Sequence, residues 1–152
     1  MGDPVQVRPA LEADCTMIHN IHAAATRGLP RGAAGSAGVE QFLASRNPAA
    51  YAEDMQHESF IVAERAGDIV AWGAFHADKQ EITNVFVAPD HQRSGIGTVV
   101  ISALEDLART AGLDTVQLQA TGTAIDFYLL KGYQSDPPVK PGADWALMKK
   151  AL

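Results

Sequence analysis

The sequence predicts an α/β (α+β) fold, a single domain over residues 1–152 with its elements in the order β-α-α-β-β-β-α-β-α-β. Three observations carry this reading. Apolar, β-rich runs at Ser59–Arg65 and Ile69–Ala77 flank Ala66-Gly67-Asp68, the pattern of a hairpin. The stretch Ser94–Ala111 has helical apolar spacing and follows the apolar run Val85-Phe86-Val87-Ala88 after a turn. Strand alternation then resumes at Thr115–Gln119, with Val116 and Leu118 on one side. A chain of 152 residues buries about two-thirds of its unfolded surface, enough for one substantial core.

Taken in order, Val5–Arg8 reads as a short edge strand ended by Pro9. Glu12–Thr26 has Ile18, Ile21 and Ala25 at helical spacing. Gly28–Gly38 holds four glycines, one proline and three alanines, a loop with the length of a lid. Val39–Ser45 and Pro48–Met55 read as short helices, and Glu81–Ala88 as the antiparallel strand after the hairpin. The main helix Ser94–Ala111 is expected to bury Val99, Val100, Leu104, Leu107 and Ala108, with Gly112 as its stop. Thr123–Leu130 is a helix ending at Gly132; Asp136-Pro137-Pro138 and Pro141-Gly142 bracket a loop; Trp145–Lys149 is the last strand.

Composition narrows the function classes. At 47% hydrophobic and 20% charged, the chain has the make-up of an ordinary globular domain. A formal net charge of −6 argues against nucleic acid, whose backbone requires a basic face, and mildly favours a cationic substrate such as an amine. The longest apolar runs are too short to cross a bilayer, so no membrane partner is expected. No charged-then-apolar leader opens the sequence and its single cysteine, Cys15, forms no internal disulfide, so the expected location is cytoplasmic. Beside Asp14 at a helix start, Cys15 reads as a small semi-buried thiol rather than a reactive thiolate.

The most informative segment is Gln92-Arg93-Ser94-Gly95-Ile96-Gly97, between Pro89-Asp90 and the main helix. A strand, a glycine turn and a helix start form an anion cradle: the first N–H groups are unpaired and the helix end is partly positive. Gly95 and Gly97 let a ligand approach the backbone closely. No lysine follows Gly97, which excludes a P-loop. A dinucleotide fold needs a third glycine and a longer array of strands and helices. A glycine-rich helix cap with no ligand remains the alternative.

The flanks extend the pattern. Gln92, Gly95 and Gly97 match the Gln/Arg-x-x-Gly-x-Gly/Ala signature of the GNAT N-acyltransferases. Asn84-Val85-Phe86-Val87-Ala88-Pro89 resembles that family's central strand, and Ala124 through Tyr128 to Gly132-Tyr133 its later Ala-x-x-x-Tyr-x-x-x-Gly-aromatic block. The opening Val5–Ala10 through Asp14 is similar to the family's first strand and helix start. The resemblance implies a mixed, mostly antiparallel central sheet flanked by helices, and an acetyl-CoA-dependent N-acetyltransferase acting by direct attack in a ternary complex, with no metal. A non-catalytic acyl-CoA-binding or regulatory module on the same fold is the other reading.

The resemblance also assigns residues. Backbone N–H groups of Arg93, Ser94, Gly95, Ile96, Gly97 and Thr98 are expected at the pyrophosphate, with the Arg93 side chain as an added cation. Main-chain groups of Val85, Phe86 and Val87 are expected to pair with the pantetheine arm, provided the central strand splays from Thr115–Gln119. Tyr128 aligns with the tyrosine near the departing sulfur, where a phenol that keeps its proton at neutral pH serves as donor. Glu81 stands at the spacing of a strand glutamate that serves as base in some members, nominally on one face with Thr83, Val85 and Val87 unless a bulge reverses it. Thr121 departs from the family, many of whose members carry Asn there; its hydroxyl still bonds an amide but has shorter reach.

Other candidates are weaker. His19 and His22 have the helical spacing of a metal pair, but no nearby ligand completes a set. His91 flanks the glycine turn, and Trp72, Phe75 and Phe86 either line an acceptor pocket or pack in the core. The acceptor amine, small molecule or peptide, has no signature of its own in the N-terminal helices, the Gly28–Gly38 loop or the Gly132–Asp144 loop. Edge strands and the apolar C-terminal segment allow a homodimer.

Overall fold

The computed structural model describes residues 4–27, 40, 41 and 43–152. In chain order the elements are β1 (Val5–Pro9), α1 (Cys15–Arg27), α2 (Pro48–Asp54), β2 (Ser59–Arg65), β3 (Asp68–His76) and β4 (Glu81–Val87). Then come α3 (Ile96–Thr110), β5 (Thr115–Thr121), α4 (Ile125–Leu130) and β6 (Trp145–Ala151). Residues 40, 41, 43 and 44 are also helical, within the stretch expected as Val39–Ser45. The Gly28–Gly38 lid of the sequence reading lies outside the described residues. Among the described residues no helix is long and apolar enough to cross a membrane.

All six strands form one sheet in the order β1-β2-β3-β4-β5-β6. Neighbours are antiparallel except β4 and β5, which run parallel because the connection between them, through α3, crosses the sheet. Alternation within the strands sends side chains to two cores. On one face Ile61, Ala63, Phe75, Ile82, Val116 and Leu118 pack with Val100, Leu104 and Ala108 of α3. On the other, Phe60, Val62, Trp72 and Ala74 pack with Cys15, Ile18 and Ile21 of α1 and Tyr51 of α2. α3 lies so close to β3 at Gly73 that a Cβ there would sit 2.8 Å from Leu104 and 2.9 Å from Val100.

Where element boundaries differ from expectation, local physics explains them. Pro9 does not end β1 but belongs to it, paired with Ile61; on an edge strand its missing N–H costs no ladder bond. The first residues of the N-terminal helix, Glu12–Asp14, form a 3₁₀ turn. There the Asp14 carboxylate accepts from the Leu11 N–H at 2.7 Å and from the Arg8 guanidinium at 2.8 and 3.0 Å. Those Arg8 bonds, first of all, hold the Asp14 carboxyl below the usual carboxylate range. β5 and β6 run longer than expected because they pair from Thr115↔Ala151 to Thr121↔Trp145.

The main helix begins at Ile96 rather than Ser94, since Arg93 (φ 63°) and Gly95 (φ 83°) are left-handed. That start sets the helix rotation. The buried residues are Ile96, Val100, Ile101, Leu104, Glu105 and Ala108, while Val99 faces solvent and Leu107 is half-buried. Glu105 is tolerated because Lys150 Nζ donates to it at 3.0 Å and the Tyr133 hydroxyl at 2.8 Å. Cys15 is fully buried, and burial pushes its thiol pKa up, consistent with a packing role.

Candidate active site

The parallel pair β4–β5 is joined by only two register pairs, Glu81↔Gln117 and Ile82↔Leu118. Beyond them the strands part and leave a cleft of about 890 Å³. The splay that the sequence reading required is therefore present. One wall is β4 from Ile82 to Val87, the other β5 from Leu118 to Thr121. α4 and the residue after it contribute Phe127, Tyr128, Leu130 and Lys131, and the end of α1 contributes Ala25 and Thr26.

The glycine turn closes one end of this cleft, where Gln92, Arg93, Gly95, Gly97 and Thr98 line it. Gly95 is the N-cap of α3, and no side chain caps it. The first-turn N–H groups of a 15-residue helix thus have no intrahelical or side-chain cap partner. Gln92 ties the turn back, its Nε2 donating to the Val87 carbonyl at 3.2 Å. Gly97 lies against the Phe127 ring, which a Cβ would approach to 3.5 Å. Among the described residues, the charged ones lining the cleft are both cations, Arg93 and Lys131, in a chain whose formal net charge is −6.

Tyr128 stands on α4 with only 8% of its surface exposed, yet it lines the cleft. Its ring meets Phe127 and Tyr133 edge-on, at centroid distances of 5.1 and 5.6 Å. Burial pushes its phenol pKa up to about 12, so the group holds its proton throughout the neutral range. Among the described residues, nothing hydrogen-bonds its hydroxyl.

Other nominated residues separate into wall and support. Val85, Phe86, Val87 and Thr121 line the cleft, whereas Ser94 and Ile96 do not. The Ser94 hydroxyl donates to the His91 carbonyl, and the Ile96 side chain is in the core. Trp72 and Phe75 are core residues, and of that aromatic trio only Phe86 reaches the cleft. His19 and His22 turn toward the Tyr51 hydroxyl, at 3.4 and 2.7 Å from their Nδ1 atoms. Burial first, then Arg46 and His19, lowers the His22 pKa to about 4. Among the described residues no three metal-ligating side chains come together.

Glu81 is displaced from its expected face by a β-bulge. Ala74 pairs with Asn84 and Phe75 with Ile82, so Thr83 has no partner on β3. The extra residue reverses the alternation. Ile82, Val85 and Val87 pack with the α3 core, while Glu81, paired with His76, falls on the opposite face and does not line the cleft. Sequence reading missed Thr83, Asn84, Phe127 and Lys131, all on the cleft walls. Phe127 and Lys131 flank Tyr128 within its motif block and were findable; Thr83 was not, because a bulge leaves no period to read.

A family model described as an acetyltransferase (GNAT) domain matches residues 31–152. A curated relative, IAA acetyltransferase of Azospirillum brasilense, is 33% identical over 89 residues, 54% of this chain and 58% of the relative; the match thus spans little more than half that relative's length. Among solved structures, a GCN5-related N-acetyltransferase from Rhodopseudomonas palustris superposes with a TM-score of 0.83 at 22% identity, covering 100% of this chain and 98% of that one. The PaiA N-acetyltransferase from Thermoplasma acidophilum, solved with coenzyme A, gives 0.79 at 12% identity over 98% and 99% of the two chains. These likenesses show the fold: a mixed, mostly antiparallel six-stranded sheet flanked by helices.

Proposed function

Because the chain belongs to the GNAT acetyltransferase family, we propose that it is an N-acetyltransferase carrying an acetyl group from acetyl-CoA to a primary amine of a small molecule or peptide, by direct attack in a ternary complex. The observation that carries this reading is the cleft's polarity. An uncapped helix start and Arg93 mark one end, and a buried, protonated phenol stands on the wall, with Lys131 just after it on the α4 side. The first suits a pyrophosphate: each anion contact at a helix start is worth about 0.3–1 kcal/mol when exposed and up to about 2 when partly buried. The open edge of β4 beyond Ile82 suits an extended amide-bearing arm, which Val85, Phe86 and Val87 would pair as an added strand. Thr121 offers a hydroxyl from the facing wall.

In the reaction the amine nitrogen bonds the thioester carbonyl carbon, and the carbon–sulfur bond breaks with its electron pair on sulfur. Tyr128 holds the departing thiolate by its O–H. A free alkyl amine with a pKa near 10.4 is almost wholly protonated at pH 7, and freeing it costs about 4–5 kcal/mol. A carboxylate at the foot of β4 takes that proton. Glu81, the carboxylate nominated by sequence, lies off the cleft wall and does not reach that proton directly.

Coenzyme A release measured over a panel of amines, alongside thermal stabilisation by acetyl-CoA, tests the function. At 100 times the dissociation constant the ligand adds about 2.7 kcal/mol. Release with at least one amine is expected. Stabilisation without turnover would leave a non-catalytic acyl-CoA-binding module, and no stabilisation would leave an empty glycine cap.

A further inference from the structure

Thr83, the bulged residue, is the first on β4 past the last β4–β5 pair, so it sits where the two strands begin to part. Its hydroxyl donates to the Glu58 carboxylate, in the turn between α2 and β2, and accepts from Asn84 Nδ2 at 3.3 Å. It also lies 3.3 Å from the Ala74 carbonyl. Glu58 is half-buried, and among the described residues no cation pairs with it. A half-buried carboxylate without a counter-ion, one hydrogen bond behind the cleft wall, is an unusual use of a glutamate whose ordinary place is in solvent.

Resting on the acetyltransferase reading above, we propose that Thr83 and Glu58 form the proton relay for the acceptor amine. The relay first strips the ammonium of one proton, which Glu58 returns to solvent; as the nitrogen–carbon bond then forms and the carbon–sulfur bond breaks, the surplus proton on nitrogen passes to Thr83 Oγ1. The threonine's own proton passes in the same motion to the Glu58 carboxylate. Sulfur keeps the electron pair as thiolate under the Tyr128 O–H, and Glu58 later returns its proton to solvent. Thr83 touches the substrate and is the catalytic residue; Glu58 acts through it. The bulge earns its place in this scheme by turning Thr83, rather than a ladder-paired residue, to the splay point. The titratable groups around Glu58 are Asp54 and His57 in the preceding turn and Asp54's partner Arg46. His76 follows Phe75, the partner of the adjacent Ser59, and pairs in turn with Glu81.

Four variants test the relay: Glu58→Gln, Thr83→Val, Thr83→Ser and Glu81→Gln. Steady-state turnover and its pH profile are measured for each, with acetyl-CoA affinity by calorimetry. Glu58→Gln and Thr83→Val are expected to lose about 100-fold or more in kcat, the usual scale for an acid–base group, with acetyl-CoA affinity within twofold of wild type. Thr83→Ser, which keeps the hydroxyl, restores kcat to within about fivefold of wild type. The acidic limb of the profile is lost in Glu58→Gln and kept in Glu81→Gln. Wild-type kcat in Glu58→Gln, or an acidic limb lost only in Glu81→Gln, overturns the relay while leaving the acetyltransferase standing. If Glu58→Gln fails to fold, Thr83→Val decides alone: equal kcat in the valine and serine variants overturns the proposal. A wild-type protein that binds acetyl-CoA but acetylates no amine overturns both readings together.

Discussion

Replacing Tyr128 by Phe removes one hydroxyl from the cleft wall and nothing else. The size of the effect follows from the group's surroundings. Burial raises the phenol to about 12, whereas a departing thiol has a pKa near 8.5. A full proton transfer from phenol to thiolate is thus uphill by about 5 kcal/mol at 1.36 kcal/mol per pH unit. Tyr128 therefore acts by donating a hydrogen bond to the forming anion. Such a bond to a charged group is worth about 1.5–3 kcal/mol, or roughly 10- to 150-fold in rate. Because no group among the described residues bonds this hydroxyl, the variant keeps its fold stability to within about 1 kcal/mol. The assay is coenzyme A release under saturating acetyl-CoA, with the dissociation constant of acetyl-CoA measured separately by calorimetry. A kcat within twofold of wild type refutes the argument, as does a loss confined to acetyl-CoA affinity. A further mark of the donor role is that no alkaline limb belonging to Tyr128 appears in the pH–rate profile below about pH 11.

Four other outcomes follow from the packing and the charges. Gly95→Ala forces a side chain into a φ of 83° with open space around it, so the cost of about 1–2 kcal/mol is backbone strain; urea unfolding measures it, and weaker acetyl-CoA binding accompanies it. Gly73→Ala drives a methyl against Leu104 and Val100 and costs about 1–3 kcal/mol in the same measurement, with Tm falling accordingly. Lys150→Ala strands the Glu105 carboxylate beside Tyr133 alone and destabilises by about 3 kcal/mol, a loss that should shrink in the double variant with Glu105→Leu. His22 is neutral and buried in the fold, while in the unfolded chain it takes up a proton below its ordinary 6.5. Stability is therefore flat above that pH and falls by roughly 2–3 kcal/mol between pH 6.5 and 4; His22→Gln should flatten that part of the urea-midpoint curve.

Much of the fold was legible because its elements obey short periods. The hairpin, the helix with its glycine stop and the alternation of β5 each declare themselves within a dozen residues. The glycine turn was legible for the same reason, and with it Gln92, Gly95, Gly97 and the tyrosine block. What escaped depends on partners far away in sequence. Pro9 continues a strand only because an edge position spares its N–H. Glu105 is buried only because Tyr133 and Lys150 meet it there. The face of Glu81 turned on one bulged residue, for which sequence alternation gives no sign. Glu58 carries no local signal at all, since its interest arises from a hydrogen bond to a strand 25 positions away.

The short seam between β4 and β5 has a mechanical consequence. With two register pairs holding them side by side, the sheet is two leaves, β1–β4 and β5–β6, sewn together at one end and bridged by α3. A ligand seated as a strand in the gap would supply the missing stitches. Its binding free energy is then also cohesion between the leaves, and amide exchange along the inner edges of β4 and β5 should slow together when the gap is filled. The donor would be, for as long as it stays, part of the sheet.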